Sequence, residues 1–137
     1  MRIKENAIKY IEIIIQSNFT NPTFGVNQLA DKIGISISYL REITWNKYDM
    51  SPRLLIETIR LEAATNLMLM DHLNFYQICK HTGFNHPKTF RRTFQRRLGL
   101  APSECKKNLE IYKYPVNKID HIKKILWCNN GEKVRQL

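Results

Sequence analysis

The chain writes one short pattern twice, and that repeat restricts its fold more than any other feature. The first copy runs Leu29-Ala30, Ile33-Gly34-Ile35, Leu40 and Met50-Ser51-Pro52; the second runs Ile78-Cys79, Thr82-Gly83-Phe84, Phe90 and Leu100-Ala101-Pro102. The two glycines lie 49 residues apart and the later landmarks 50, so one residue is inserted after the second turn. In each copy a small residue stands beside an apolar one, glycine comes four residues later, and a second helical run begins. The small residue lets two helices approach, and glycine accepts the left-handed backbone that a β-carbon resists. The pattern predicts two helix-turn-helix units in an all-α chain.

Charge then narrows the partner. Lys and Arg number 22 against 12 acids, a net charge of +10, which favours nucleic acid or an anionic membrane surface. The excess is uneven: net +1 over residues 1–50, 0 over 51–85, +6 over 86–107 and +3 over 108–137. Most of the field therefore comes from the second copy and the residues C-terminal to it. The apolar run Ile13-Ile14-Ile15 is far too short to cross a bilayer, and the opening residues lack a signal-peptide core. Cys79, Cys105 and Cys128 form an odd set without metal or disulfide spacing, which fits a reducing cytosol.

The periodicity divides the chain into four parts. Residues 1–50 form a first helix-turn-helix subdomain with an N-terminal helix over 3–17, where Ala7, Ile8, Ile11, Ile14 and Ile15 share a face. The β-branched density of Ile11 to Ile15 leaves a strand as the minority reading. The helices of the first unit are expected at 27–33 and 37–47. Residues 51–70 are a linker helix started by Ser51 as N-cap and Pro52 in the first turn. Its unbroken apolar face predicts roughly 18 residues, hence about 27 Å. Residues 71–107 form the second subdomain, with helices at 75–81 and 87–98 and Gly99 as a left-handed cap. Asp49 takes the matching place in the first copy, a less comfortable choice. Residues 108–137 are an extension with one amphipathic helix capped by Asn117, either packed on the domain or kept for a partner or the DNA backbone. Two recognition helices held apart by one straight helix can reach successive major-groove segments of B-DNA, about 34 Å apart, so a monomer can do what most such proteins do as dimers.

This order of residues resembles the DNA-binding domain of the AraC/XylS family of bacterial transcription regulators. The resemblance rests on Leu29 to Ser36, Tyr39-Leu40, Met50-Ser51-Pro52, Ile59 to Ala64 and Ile78-Cys79. It is densest over Gly83-Phe84-Asn85-His86-Pro87-Lys88-Thr89-Phe90-Arg91-Arg92-Thr93-Phe94 and closes with Gly99 to Ser103. It spans about residues 3–107 and is similar to the small stand-alone members of the MarA, SoxS and Rob kind. It implies a sequence-specific activator that binds promoter or operator DNA as a monomer and recruits RNA polymerase.

Helical geometry says which side chains can read bases. In the second recognition helix Phe90, Phe94 and Leu98 form the inward stripe, so Lys88, Arg92, Gln95 and Arg96 face outward with Thr89 at the edge. Arg and Lys pair with guanine O6 and N7, each good contact worth about 1–3 kcal/mol of discrimination. Family readers fall at Lys88, Thr89 and Arg92, and Gln95 and Arg96 are assigned to backbone or groove edge. Arg91 and Arg97 project sideways or inward, as phosphate contacts or internal partners. Asn85 and His86, beside the second turn, are edge contacts.

In the first recognition helix Leu40 and Ile43 face inward, leaving Ser38, Arg41 and Glu42 as candidate base readers and Ser36, Trp45, Asn46 and Lys47 at backbone or edge. The family usually has a large aromatic at the position of Thr44, whereas here the aromatic stands one place later. Either Trp45 swings in to fill the gap or it stays exposed toward sugar or a thymine methyl. Glu42 stands where relatives carry a base-reading arginine; it can accept from cytosine N4 but repels phosphate. With about 6–8 cations on phosphate, log K should fall against log salt with a slope of roughly −5 to −7.

Catalytic and metal chemistry find no support in the sequence. Cys79, His81 and His86 lie close together without a four-ligand pattern, and no cysteine has an evident activating partner of the kind a methyl acceptor needs. No nucleophilic triad, paired-carboxylate site or phosphate-binding glycine loop stands out, so no enzyme, cofactor or metal is expected. The competing function is an architectural protein that bends DNA with little specificity.

Overall fold

The computed structural model describes residues 2–70, 72–111 and 115–128, with side chains described over 6–70, 72–109 and 117–128. Among the described residues every regular element is a helix: α1 (Arg2–Asn18), α2 (Val26–Ile33), α3 (Ile37–Tyr48), α4 (Pro52–Leu67), α5 (Phe75–His81), α6 (Pro87–Leu98), α7 (Pro102–Ile111) and α8 (Pro115–Trp127). The strand reading of Ile11 to Ile15 does not hold: Ala7, Ile11 and Ile15 share one buried helical face. Tertiary burial of that face overrides the local β preference.

The two turns close alike. Ile35 N–H donates to Ala30 O at 3.1 Å and Phe84 N–H to Cys79 O at 3.3 Å, with Gly34 and Gly83 both at φ +84°. Ala30 and Cys79, the small residues of the pattern, are buried between the helices they join. At the far end of the second helix of each unit, Gly99 caps α6 at φ +84° and Asp49 caps α3 at φ +58°. Aspartate is among the few residues with a β-carbon that tolerate this region.

Two hydrophobic cores form around these turns, and α4 belongs to both. Leu55, Ile56 and Ile59 from its first half pack with Ile11, Ile15, Leu29, Leu40 and Ile43. Leu61 and Ala64 from its second half, with Met68 just beyond, pack with Ile78, Phe90, Phe94 and Leu98. The second core is built on aromatic rings: Phe90 lies 5.3 Å from Phe75, 4.9 Å from Phe84 and 5.8 Å from Phe94, centroid to centroid. Truncating a fully buried ring such as Phe90 to alanine costs about 3–5 kcal/mol.

α4 is shorter than its apolar face suggested, 16 residues and hence about 24 Å. After Leu67 the backbone tightens: Leu69 N–H donates to Asn66 O and Met70 N–H to Leu67 O, both three residues back. That tightening turns Met68 into the core and leaves Leu69 and Met70 exposed.

α7 lies across the expected boundary at residue 107. Ala101-Pro102 repeats Ser51-Pro52, and each proline opens a helix, so the repeated unit includes the helix after the turn pair. α8 begins two residues before Asn117, which therefore lies inside the helix. Its Ile119, Ile122 and Leu126 are buried in the second core.

Candidate nucleic-acid interface

The second helices of the two units start differently. At the head of α3, Ser36 Oγ accepts from Tyr39 N–H at 3.1 Å, so this residue serves as an N-cap. At the head of α6, His86 makes no side-chain cap and Pro87 occupies the first turn. The amides of the α6 first turn are thus left without a side-chain acceptor, a state that suits an anion at a helix N-terminus.

Ser38, Arg41, Glu42, Asn46 and Lys47 lie on α3, on the face opposite Leu40 and Ile43, and all five are open to solvent. Thr44 is fully buried, its hydroxyl donating to Arg41 O at 3.2 Å. Of the two alternatives for Trp45, the structure takes the exposed one: the residue keeps 48% of its surface open. Thr44 is thus the residue that turns inward at this place, with its hydroxyl paired within the helical turn.

On α6, Lys88, Thr89, Arg92 and Gln95 line the outward face, with Asn85 and His86 before it. Arg91 projects sideways, its guanidinium carbon 5.1 Å from the Phe75 ring centroid, a cation–π contact that steadies it at the rim. Arg96 donates to Glu57 Oε2 at 3.0 Å yet keeps 60% of its side chain open.

Arg97 needs correction as a backbone-contacting residue. Only 7% of it is exposed, and it donates to Glu57 Oε1 at 2.8 Å, Thr58 Oγ1 at 3.0 Å and the Leu126 carbonyl at 2.9 Å. Its guanidinium is spent inside the protein, the internal-partner alternative. Lys106 is also engaged, donating to Leu73 O at 2.8 Å. The +6 of residues 86–107 therefore overstates the charge that faces outward.

Sequence reasoning missed Arg53. It is exposed in the first turn of α4 and lines an open groove with Asn85, Thr89, Thr93 and Arg96. A cation is electrostatically out of place at a helix N-terminus, where acids are favoured, and that misplacement was the available signal.

The thiols carry no sign of activation. Burial pushes the Cys79 thiol up, and it pushes the Cys105 thiol up to about 11 against a smaller opposing pull from Lys118. Both stay protonated at neutral pH. Among the described residues no three His, Cys, Asp or Glu side chains group as metal ligands, and no helix is long and apolar enough to cross a membrane.

Comparison with known proteins agrees with this architecture. A family model described as a helix-turn-helix domain matches residues 29–108. The chain is 30% identical over 104 residues to the histidine kinase P4 of Formosa agariphila, covering 74% of this chain and 7% of that protein. It is 20% identical over 105 residues to the HTH-type transcriptional regulator ExsA of Pseudomonas aeruginosa, covering 77% and 37%. With the virulence regulon transcriptional activator VirF of Yersinia enterocolitica it shares 26% over 81 residues, covering 59% and 30%. The chain thus spans well under half the length of these relatives. Among solved structures it matches the C-terminal domain of the two-component response regulator yesN from Fusobacterium nucleatum, with TM-score 0.68 and 25% identity over 72% of this chain and 96% of that one. It also shares its fold with the C-terminal domain of AraT, a response regulator from Geobacillus stearothermophilus, with TM-score 0.70 and 24% identity over 83% and 91%. The repeated turns, the shared linker helix and the matched family model together place this chain in the AraC-type helix-turn-helix family of transcription regulators.

Proposed function

We propose that the chain is the DNA-reading part of a transcription regulator that sets α3 and α6 into successive major-groove segments on one face of the duplex. The observation that carries this reading is the pairing of two recognition helices on one helix, α4, each with an outward polar face opposite its core stripe. Lys88, Thr89 and Arg92 read bases in the second half-site; Ser38, Arg41 and Glu42 read the first. Asn85, His86, Arg91, Gln95 and Arg96 with α6, and Ser36, Trp45, Asn46 and Lys47 with α3, meet backbone or groove edge.

The two half-sites are unequal. α6 carries the outward arginines and an uncapped N-terminus, which supports its role as the anchor. α3 carries Glu42 and an aspartate cap, which supports a role in tuning specificity. The unit acts as a monomer on a promoter or operator and favours transcription through contact with RNA polymerase. A relative named as a transcriptional activator supports that direction.

Gel shifts at physiological salt, with a selected duplex against its scrambled counterpart, test this reading. A preference of about 10³ or more supports a sequence-specific regulator, and a smaller ratio supports the architectural alternative.

A further inference from the structure

Two adjacent residues at the end of α8 touch the last turns of both recognition helices. The Leu126 carbonyl accepts from Arg97 Nη2, in the last turn of α6, at 2.9 Å. The Trp127 ring lies 6.1 Å from the ring of Tyr48, the final residue of α3. Between them Trp127 Nε1 donates to Glu62 Oε2 of α4 at 2.8 Å. Trp127 packs against both hydrophobic cores, which no other described hydrophobic side chain does.

Each of these contacts is itself fixed. Tyr48 donates its hydroxyl to Glu12 of α1, and burial together with that carboxylate raises the Tyr48 pKa, so the phenol stays neutral and its donor stays committed. The same Arg97 guanidinium that holds Leu126 O also reaches Glu57 and Thr58 of α4. Leu126 is fully buried in the second core. The end of α8 is therefore tied to groups that are themselves engaged with α1 and α4.

We propose that Leu126 and Trp127 form a brace that sets the separation and angle of α3 and α6, with Trp127 as a positioning residue for two-site DNA reading. A single helix such as α4 leaves bending and twisting between two lobes to their other contacts. When two binding modules are joined, the second engages at an effective concentration that peaks where the link matches the span of the sites. A looser link lowers that peak and broadens it. The brace turns two modest readers into one ruler. The inference rests on the two-helix reading of DNA proposed above.

The test uses the full chain and a duplex selected from random DNA for tight binding. From it a series is made with one, two or three base pairs inserted or deleted between the half-sites, plus a duplex carrying only the α6 half-site. For the wild-type protein each added base pair turns and shifts one half-site, so affinity should fall about tenfold per step from a sharp optimum. Trp127→Ala should lose about tenfold at the optimum and less than about threefold per step, while binding the single half-site within about twofold of wild type.

Trp127→Phe, which keeps one aromatic ring while losing the donor to Glu62 and part of the ring area, should fall between. Should Trp127→Ala fail to melt cooperatively, Trp127→Phe decides: a lowered, broadened optimum supports the brace and an unchanged one overturns it. A wild-type profile that is sharp and survives Trp127→Ala with the same shape overturns the brace alone. A wild-type profile indifferent to spacing overturns the two-helix reading, and the brace with it.

Discussion

Gly83 packs so closely on the backbone of Phe19 that a β-carbon there would lie 2.0 Å from the Phe19 carbonyl oxygen. The turn of the second unit is thus seated on the α1–α2 connector of the first. Arg60 completes the seat, donating to the carbonyls of Phe19 at 2.9 Å and of Asn21 and Phe24 at 3.0 Å. Gly34, the matching glycine of the first copy, meets nothing within 4 Å. One glycine serves only its own turn; the other also joins two lobes.

Alanine at the two glycines should therefore cost unequal amounts. Gly34→Ala bears only the left-handed strain of a β-carbon, about 1–2 kcal/mol. Gly83→Ala adds a backbone clash and should lose at least about 2 kcal/mol more, or fail to fold cooperatively. Thermal or urea denaturation reads the difference, and equal losses would contradict the close seat on Phe19.

Arg97 should behave as a structural residue and not as a DNA contact. Arg97→Met removes a nearly buried partner of Glu57 and should cost about 2–4 kcal/mol of stability, below the full range for a wholly buried pair because Glu57 keeps 18% of its side chain open. The exposed pair formed by Arg96 should contribute less than about 1 kcal/mol. Under conditions where the variant is folded, its salt slope for DNA binding should match wild type, while Lys47→Ala should flatten that slope by about 1.

Arg92→Ala should relax sequence choice. The loss of one bidentate contact to guanine costs about 1–3 kcal/mol against the preferred duplex and much less against random DNA. Selection from random sequences should show one position of the second half-site losing its preference. An unchanged selection profile would remove Arg92 from the set of readers.

Glu42→Ala should tighten binding to random duplex while relaxing choice at one position of the first half-site. Removing an exposed carboxylate from the phosphate-facing side of α3 should raise nonspecific affinity by roughly two- to fivefold at low salt, fading as screening shortens the reach of the charge. No change at low salt would mean that Glu42 lies away from the backbone.

The repeat made the helical architecture legible because its signals are local: small residue, glycine, serine–proline start. Helix ends at 75–81 and 87–98 could be read from Asn74, Pro87 and Gly99, and the structure has them there. The end of α4 was not legible, since the apolar face continues past Leu67 while the backbone tightens under it. α7 was legible in principle, because Ala101-Pro102 repeats a start already recognised at Ser51-Pro52.

Roles that depend on distant partners were hidden. Nothing near Arg97 in sequence points to Glu57 or Leu126, and an arginine on a basic helix reads as a phosphate contact until its burial is known. Trp127 was hidden for the same reason: its partners Tyr48 and Glu62 lie 79 and 65 residues away. The choice at Trp45 turned on whether its ring would swing in beside Thr44, which only the folded structure decides.

The central claim is that one chain reads two major-groove segments from one face of the duplex. Guanine-methylation interference on the selected duplex tests it most directly, because N7 methylation blocks major-groove contacts alone. Two interfering patches about 10 base pairs apart are expected, the stronger one losing interference at a single guanine on Arg92→Ala with the other patch kept. A single continuous patch, or loss of both patches on Arg92→Ala in a folded protein, would contradict it.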